Sequence, residues 1–229
     1  MWRMYFLSIL ASLSCSLPGL ADIGKITSLT GNVQIRTNKA EIIDVKVGAI
    51  LNLNDMLKVK TKSSTTILMN DQSIFTVGPK TTIVFDDFLY DGTNQKLRVR
   101  IIDGSLTYDS PNLTGKSDRE FTYRDNTLVI RGTEFAAKFS LPSQIILFEG
   151  IIAVKSGENV VLLDKPMQSV KFSANKISDL FLLSHKEVLS FFKNSGLDVK
   201  SLGRVKNSNQ VLELECYLNK VKIGCPITK

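Results

Sequence analysis

From Gly24 to about Val170 the apolar residues fall in short runs, many alternating with polar residues, and turn-forming residues separate one run from the next. A period of two puts successive side chains on opposite faces of a strand, whereas a helix repeats its apolar positions every three or four residues, a spacing this stretch lacks. The pattern predicts strands at 26–29, 32–36, 56–59, 65–69, 73–77, 81–89, 96–103, 105–108, 120–124, 127–131, 134–140, 144–149, 151–155 and 159–163. Many short strands at close spacing predict an all-β fold, either sandwich-like or a short solenoid stack.

The breaks have chemical causes. Asn70-Asp71-Gln72-Ser73, Gly78-Pro79-Lys80, Asp91-Gly92, Asp103-Gly104 and Ser156-Gly157 supply residues that tolerate or pre-set turn dihedrals. Alternation also shows which faces are wet. Lys58, Lys60 and Lys62 interleave with Leu57, Val59 and Thr61, and Arg98 and Arg100 interleave with Leu97, Val99 and Ile101, so two strands present basic stripes and bury their other faces.

After Phe172 the pattern changes. Ser184 with Glu187 reads as a capping box, Val188, Leu189, Phe191 and Phe192 form one apolar stripe, and Gly196 stops the helix. A shorter helix is expected over 177–183, and 211–223 alternates again, as a hairpin around Asn219-Lys220 would.

At the other end, Arg3 precedes an apolar stretch from Tyr5 to Leu13, and Leu17-Pro18-Gly19-Leu20-Ala21 places small residues where a signal peptidase would cut. A membrane span takes about 20 apolar residues, more than this stretch offers. Residues 1–21 are therefore expected to be a signal peptide cleaved near Ala21, with a β domain over 22–170 and a C-terminal extension over 171–229. Lipidation would need Cys15, but Ser12 stands where an aliphatic residue is wanted. The mature chain is expected to lack a transmembrane segment and to be periplasmic or secreted.

In an exported protein the two remaining cysteines, Cys216 and Cys225, are expected to form a disulfide rather than a metal site, the alternative being two free thiols. Such a bridge stabilises by roughly 2–3 kcal/mol in the chain-entropy model. The formal charge of +7 favours anionic partners, which outside the cytoplasm means acidic lipids, glycans or protein surfaces rather than nucleic acid. Lys58, Lys60, Lys62, Arg98 and Arg100 are the candidate contacts, the alternative being a merely solubilising role.

The most specific stretch is Leu128-Val129-Ile130-Arg131-Gly132-Thr133-Glu134-Phe135, followed by 145–148, Glu149-Gly150 and 151–154. It resembles the FecR family, in which an apolar strand leads into Arg-Gly-Thr, an acidic or polar residue and Phe, and a second strand ends in a Glu-Gly turn. Gly31-Asn32-Val33-Gln34-Ile35 resembles that family's opening strand and Gly78-Pro79-Lys80-Thr81 its Gly-Pro-x-Thr turn, whereas Asn54 and Gln72 occupy positions where glycine is common, so those turns are expected to be rearranged. The resemblance covers roughly 24–160. It implies an extracytoplasmic β domain; in the best-known members this domain contacts an outer-membrane transporter while a cytoplasmic segment acts on a sigma factor. With a cleavable signal in its place, that segment is not carried over. Arg131, Gly132, Thr133, Glu134, Phe135, Glu149 and Gly150 are read as chiefly architectural, with ligand binding as the alternative.

Catalytic chemistry is thinly represented. The one histidine, His185, follows the helix cap, and no Gly-x-Ser-x-Gly elbow, Walker loop, His-Glu-x-x-His run or zinc-spaced cysteine pair is present. Asp86, Asp87 and Asp91 do not have the spacing of the twelve-residue calcium loop. The expectation is a non-enzymatic binding or scaffolding module without cofactor, catalytic or metal residues, whose partner is an envelope protein or a cell-surface glycan met through a strand edge or a basic stripe. The alternatives are a glycan hydrolase with strand-borne carboxylates and a purely structural envelope protein.

Overall fold

The computed structural model describes residues 22–111, 115–173 and 176–202; the anticipated signal peptide, the C-terminal hairpin and Cys216 and Cys225 lie outside them. The strands, in chain order, are β1 (Asp22–Thr30), β2 (Val33–Arg36), β3 (Ile42–Asp44), β4 (Ile50–Asn52), β5 (Met56–Val59), β6 (Ser64–Met69), β7 (Ile74–Val77), β8 (Thr81–Tyr90), β9 (Gln95–Asp109), β10 (Ser117–Tyr123), β11 (Asn126–Phe139), β12 (Ser143–Ser156), β13 (Asn159–Leu163), β14 (Gln168–Ser173), β15 (Lys176–Ile177) and β16 (Phe181–Leu182). Helix α1 (His185–Ser195) and a short 3-10 turn at Val199–Ser201 follow.

The strands form two faces of one folded-over sheet. The first runs β4-β1-β6-β7, continues through the C-terminal halves of β9 and β11 and the N-terminal half of β12, and ends at β14 with β15 and β16. The second runs β3-β2-β5-β8, continues through the other half of β9, then β10, then the other halves of β11 and β12, and ends at β13. All pairings are antiparallel except β9 with β10. The expectation of a mostly β, sandwich-like fold holds.

Three strands cross between the faces, and here the structure differs from the sequence reading. The segments read as 96–103 and 105–108 are one strand, β9; likewise 127–131 and 134–140 are β11, and 144–149 and 151–155 are β12. Gly104 (φ 108°), Gly132 (φ 57°) and Gly150 (φ 87°) are corners within those strands. A Cβ on Gly104 would lie 2.1 Å from the Thr81 hydroxyl and 2.4 Å from its Cα, and one on Gly150 would lie 2.0 Å from the Gly132 carbonyl oxygen. Positive φ and this close approach together require glycine. Thr81 then clamps the first corner: its hydroxyl accepts from the Ser105 amide at 2.9 Å and donates to the Ser105 carbonyl at 3.1 Å. Asn54 (φ 67°) and Gln72 (φ 68°) take the left-handed backbone that glycine would supply, so those two turns have the conformation glycine favours without glycine.

Between the faces lies the main core. Phe75, Phe85, Tyr108, Phe121 and Phe135 stack with centroid separations of 4.7–5.8 Å, a geometry that adds to simple area burial. Outside the first face, α1 lays Val188, Phe191 and Phe192 on Ala136, Ile146 and Phe148. Burying each of these large side chains is worth about 1.5–3 kcal/mol. The helix has the caps its sequence specifies: Ser184 and Glu187 close a capping box, and Gly196 ends it at φ 70°.

Two further expectations are corrected. The segment 177–183 is not a helix; β15 and β16 pair with β14 on either side of a turn in which the Ser178 amide donates to the Lys171 carbonyl. The boundary placed between 170 and 171 falls inside β14, whose Val170 and Phe172 are part of the main core.

Candidate functional site

The residues of the Arg-Gly-Thr-Glu-Phe stretch divide into two sets. Thr133 is buried; its amide donates to the Ser110 hydroxyl at 2.7 Å and its own hydroxyl donates to the Ile151 carbonyl at 3.1 Å, tying β11 to its neighbours at the corner. Phe135 belongs to the aromatic stack. Glu134, 1% exposed, sits in register between Asp109 of β9 and Glu149 of β12. Arg131 and Glu149, by contrast, are exposed.

Arg131 has apolar company on the outer face. Across β11, β12 and β13, Val129 lies opposite Ala153 and Ala153 opposite Leu162, while Arg131 lies opposite Ile151 and Lys155 opposite Val160. Val129 (49%), Ile151 (40%), Val160 (60%) and Leu162 (50%) are all exposed. Large contiguous apolar patches rimmed by polar residues are a common feature of contact surfaces. β13 pairs with β12 alone among the described strands, so its other edge offers backbone amides and carbonyls with no ladder partner there. Alternation marks β13 as one strand among many, and only its place at the end of the second face reveals the edge.

The basic stripes fare differently. Arg98 donates to the Asp118 carboxylate at 2.6 Å and lies 3.8 Å from Glu120; Arg100 makes two bonds to Asp86 at 2.7 and 2.8 Å; Lys96 pairs with Asp87. The carboxylates hold both guanidinium groups above their ordinary pKa, hydrogen bonding from Asp118 and from Asp86 being the main causes. Lys58 is exposed on β5, whereas Lys62 leaves the strand and stands on the rim of a cleft beside Gly104. Asp91, the remaining acid of the suspected calcium group, accepts from the amides of Thr93 and Asn94 and from the Asn94 side chain, which lowers its pKa. No cluster of metal ligands occurs among the described residues.

A buried polar group escaped the sequence reading. Asp71 accepts from the Ser73 amide and hydroxyl, each at 2.9 Å, and the Ser73 hydroxyl meets the Tyr108 hydroxyl at 3.1 Å. Arg119 occupies an inward position of β10 next to Phe121 and is 1% exposed. Burial raises the Asp71 carboxyl above its ordinary value, opposed by the Ser73 hydrogen bonds and the Arg119 charge, and burial also raises Tyr108. These residues are enclosed, so they hold the strands rather than meet a ligand. Two clefts lined by described residues hold one carboxylate each: the one beside α1 has Asp198 and the one beside Gly104 has Asp103.

No family model matches the chain, and no curated protein matches it. Two crystal structures of a "putative anti-sigma factor" from Parabacteroides distasonis ATCC 8503, at 1.65 and 2.50 Å resolution, are similar to it, each with a TM-score of 0.50 and with 14% and 15% sequence identity. The match covers 60% of this chain and 64% and 63% of theirs, so the chain spans less than two thirds of that protein's length. At such identity the likeness concerns the backbone, and the conclusion it supports is that about three fifths of this chain has the β fold seen in those structures.

Proposed function

We propose that the chain is a non-enzymatic binding and regulatory module of the cell envelope, related in fold to the periplasmic domain of FecR-type proteins, and that it receives a strand of an envelope protein along the edge of β13 that has no ladder partner among the described strands. The observation that carries this reading is the edge itself: Val160 and Leu162 stand exposed beside Val129 and Ile151, with Arg131 and Lys155 at the rim. An added strand would satisfy the unpaired backbone groups, and side chains at alternate positions would set specificity. The cationic rim favours a strand with acidic flanks. The likeness to anti-sigma factor structures supports a regulatory role, and the Arg-Gly-Thr-Glu-Phe stretch supports the FecR relation.

In-cell chemical crosslinking followed by purification and mass spectrometry tests it. Wild type should capture one envelope protein, and Val160→Lys with Leu162→Lys should lose that protein while the melting temperature stays within a few degrees. Capture unchanged by the two lysines, or recovery of glycan fragments alone, would overturn the edge reading.

A further inference from the structure

A second surface, separate from β13, gathers charge without neutralising it. Where β9 turns its corner, a cleft of about 440 Å³ opens between that corner and the end of α1. Lys62, Lys80, Lys138 and Lys193 come to it from four separate segments of the chain, with Asp103 as the only carboxylate, so it has three net positive charges. None of the four lysines forms an ion pair among the described residues, although every cation of the Lys96, Arg98 and Arg100 row does. Ser140 adds a hydroxyl at the wall.

The framework of the cleft is fixed. The Ser105 hydroxyl donates to the Ser195 carbonyl at 2.7 Å and thereby joins the last turn of α1 to β9, and Lys138 lies directly across the ladder from Ser105. The Gly196 amide caps the Phe192 carbonyl, so two carbonyls at the helix terminus, those of Phe192 and Ser195, are occupied rather than facing the cleft as acceptors. Lys62 (φ 56°) and Lys80 (φ 55°) both adopt the left-handed backbone that glycine or asparagine takes at less cost.

We propose that this cleft binds a phosphorylated group bearing two or more negative charges. Ammonium groups arriving from several directions suit a tetrahedral, multiply charged oxyanion, whereas a planar carboxylate is best held by the two-pronged guanidinium, and the cleft contains no arginine. The volume is within the range of small-ligand sites and exceeds what a bare phosphate fills, which favours a phosphate with a further moiety, free or at the head of a lipid.

The test is calorimetric titration of the whole chain with inorganic pyrophosphate, alongside flotation with vesicles of phosphatidic acid and phosphatidylcholine. Lys138→Gln with Lys193→Gln should weaken binding about tenfold or more, the loss of two charge-assisted hydrogen bonds. Lys96→Gln, at a neutralised site, should leave it within twofold, and Asp103→Asn should tighten it. Equal melting temperatures would show that the variants fold. Loss of pyrophosphate binding alone identifies a soluble source, and loss of vesicle binding alone identifies a lipid headgroup. Absence of both in wild type, or equal binding by wild type and the double lysine variant, would overturn the proposal.

Discussion

The row of charges around Arg98 and Arg100 and the cleft around Gly104 are both basic, yet they are built to opposite ends. In the row, Lys96, Arg98 and Arg100 each have a carboxylate on a neighbouring strand, Asp86, Asp87, Asp118 or Glu120, and such exposed pairs are worth about 0–1 kcal/mol each. That row is wet and internally neutralised. At the corner four ammonium groups meet one carboxylate, and two of these lysines, Lys62 and Lys80, occupy left-handed turn positions. A net charge of +7 therefore says little about where an anion would bind; what matters is which cations are left without partners.

The strongest way to break this comparison is to remove the corner that both regions depend on. Gly104→Ala should cost on the order of 2–5 kcal/mol in urea unfolding, because its Cβ would collide with Thr81 at a backbone angle other residues rarely adopt. A loss below about 1 kcal/mol would mean that the corner relaxes and that the clamp by Thr81 is dispensable.

Next in size is the effect of a charge held inside. The unfolded Asp71 carboxyl titrates near 3.8, and burial raises the folded value. As pH rises past 3.8 the unfolded chain ionises first, so stability is lost until the folded carboxyl ionises too. Asp71→Asn removes this loss, and its stability relative to wild type should climb as pH rises from below 3.8 upward. A flat difference across that range would contradict the direction given to Asp71.

Smaller changes sharpen the contrast at the rim. Lys62→Gly and Lys80→Gly should each raise the melting temperature slightly, by up to about 1 kcal/mol of stability, while weakening pyrophosphate binding. Asp86→Asn should lower stability by about 0.5 kcal/mol at low salt, and the effect should vanish at 1 M salt.

How much of this could be read in the sequence depended on how local each cause is. The caps of α1 involve Ser184, Glu187 and Gly196, all within one turn of the helix ends, and their positions were legible. Alternation showed correctly that Leu97, Val99 and Ile101 face in and that Arg98 and Arg100 face the other way, but it holds no record of which acids lie on adjacent strands. The corners at Gly104, Gly132 and Gly150 looked like turns because glycine ends strands as readily as it bends them. Arg119 was hidden for the opposite reason: a charged residue at an inward position contradicts the pattern by which strand faces are recognised. β3, exposed throughout, lacks that pattern altogether. The edge at β13 and the lysine cleft are products of topology, since successive members of the set Lys62, Lys80, Lys138 and Lys193 are 18 to 58 residues apart and meet only once β9 turns.

The reading of the chain as a binding module rests most directly on the β13 edge, and one measurement addresses it. A photoreactive residue placed at 162 and, in a parallel strain, at 96 in the neutralised row would be activated in living cells and the products compared. Crosslinking from 162 to a single envelope protein, with little from 96, is the predicted result. Equal yields from the two positions, or no protein captured at 162, would contradict the account.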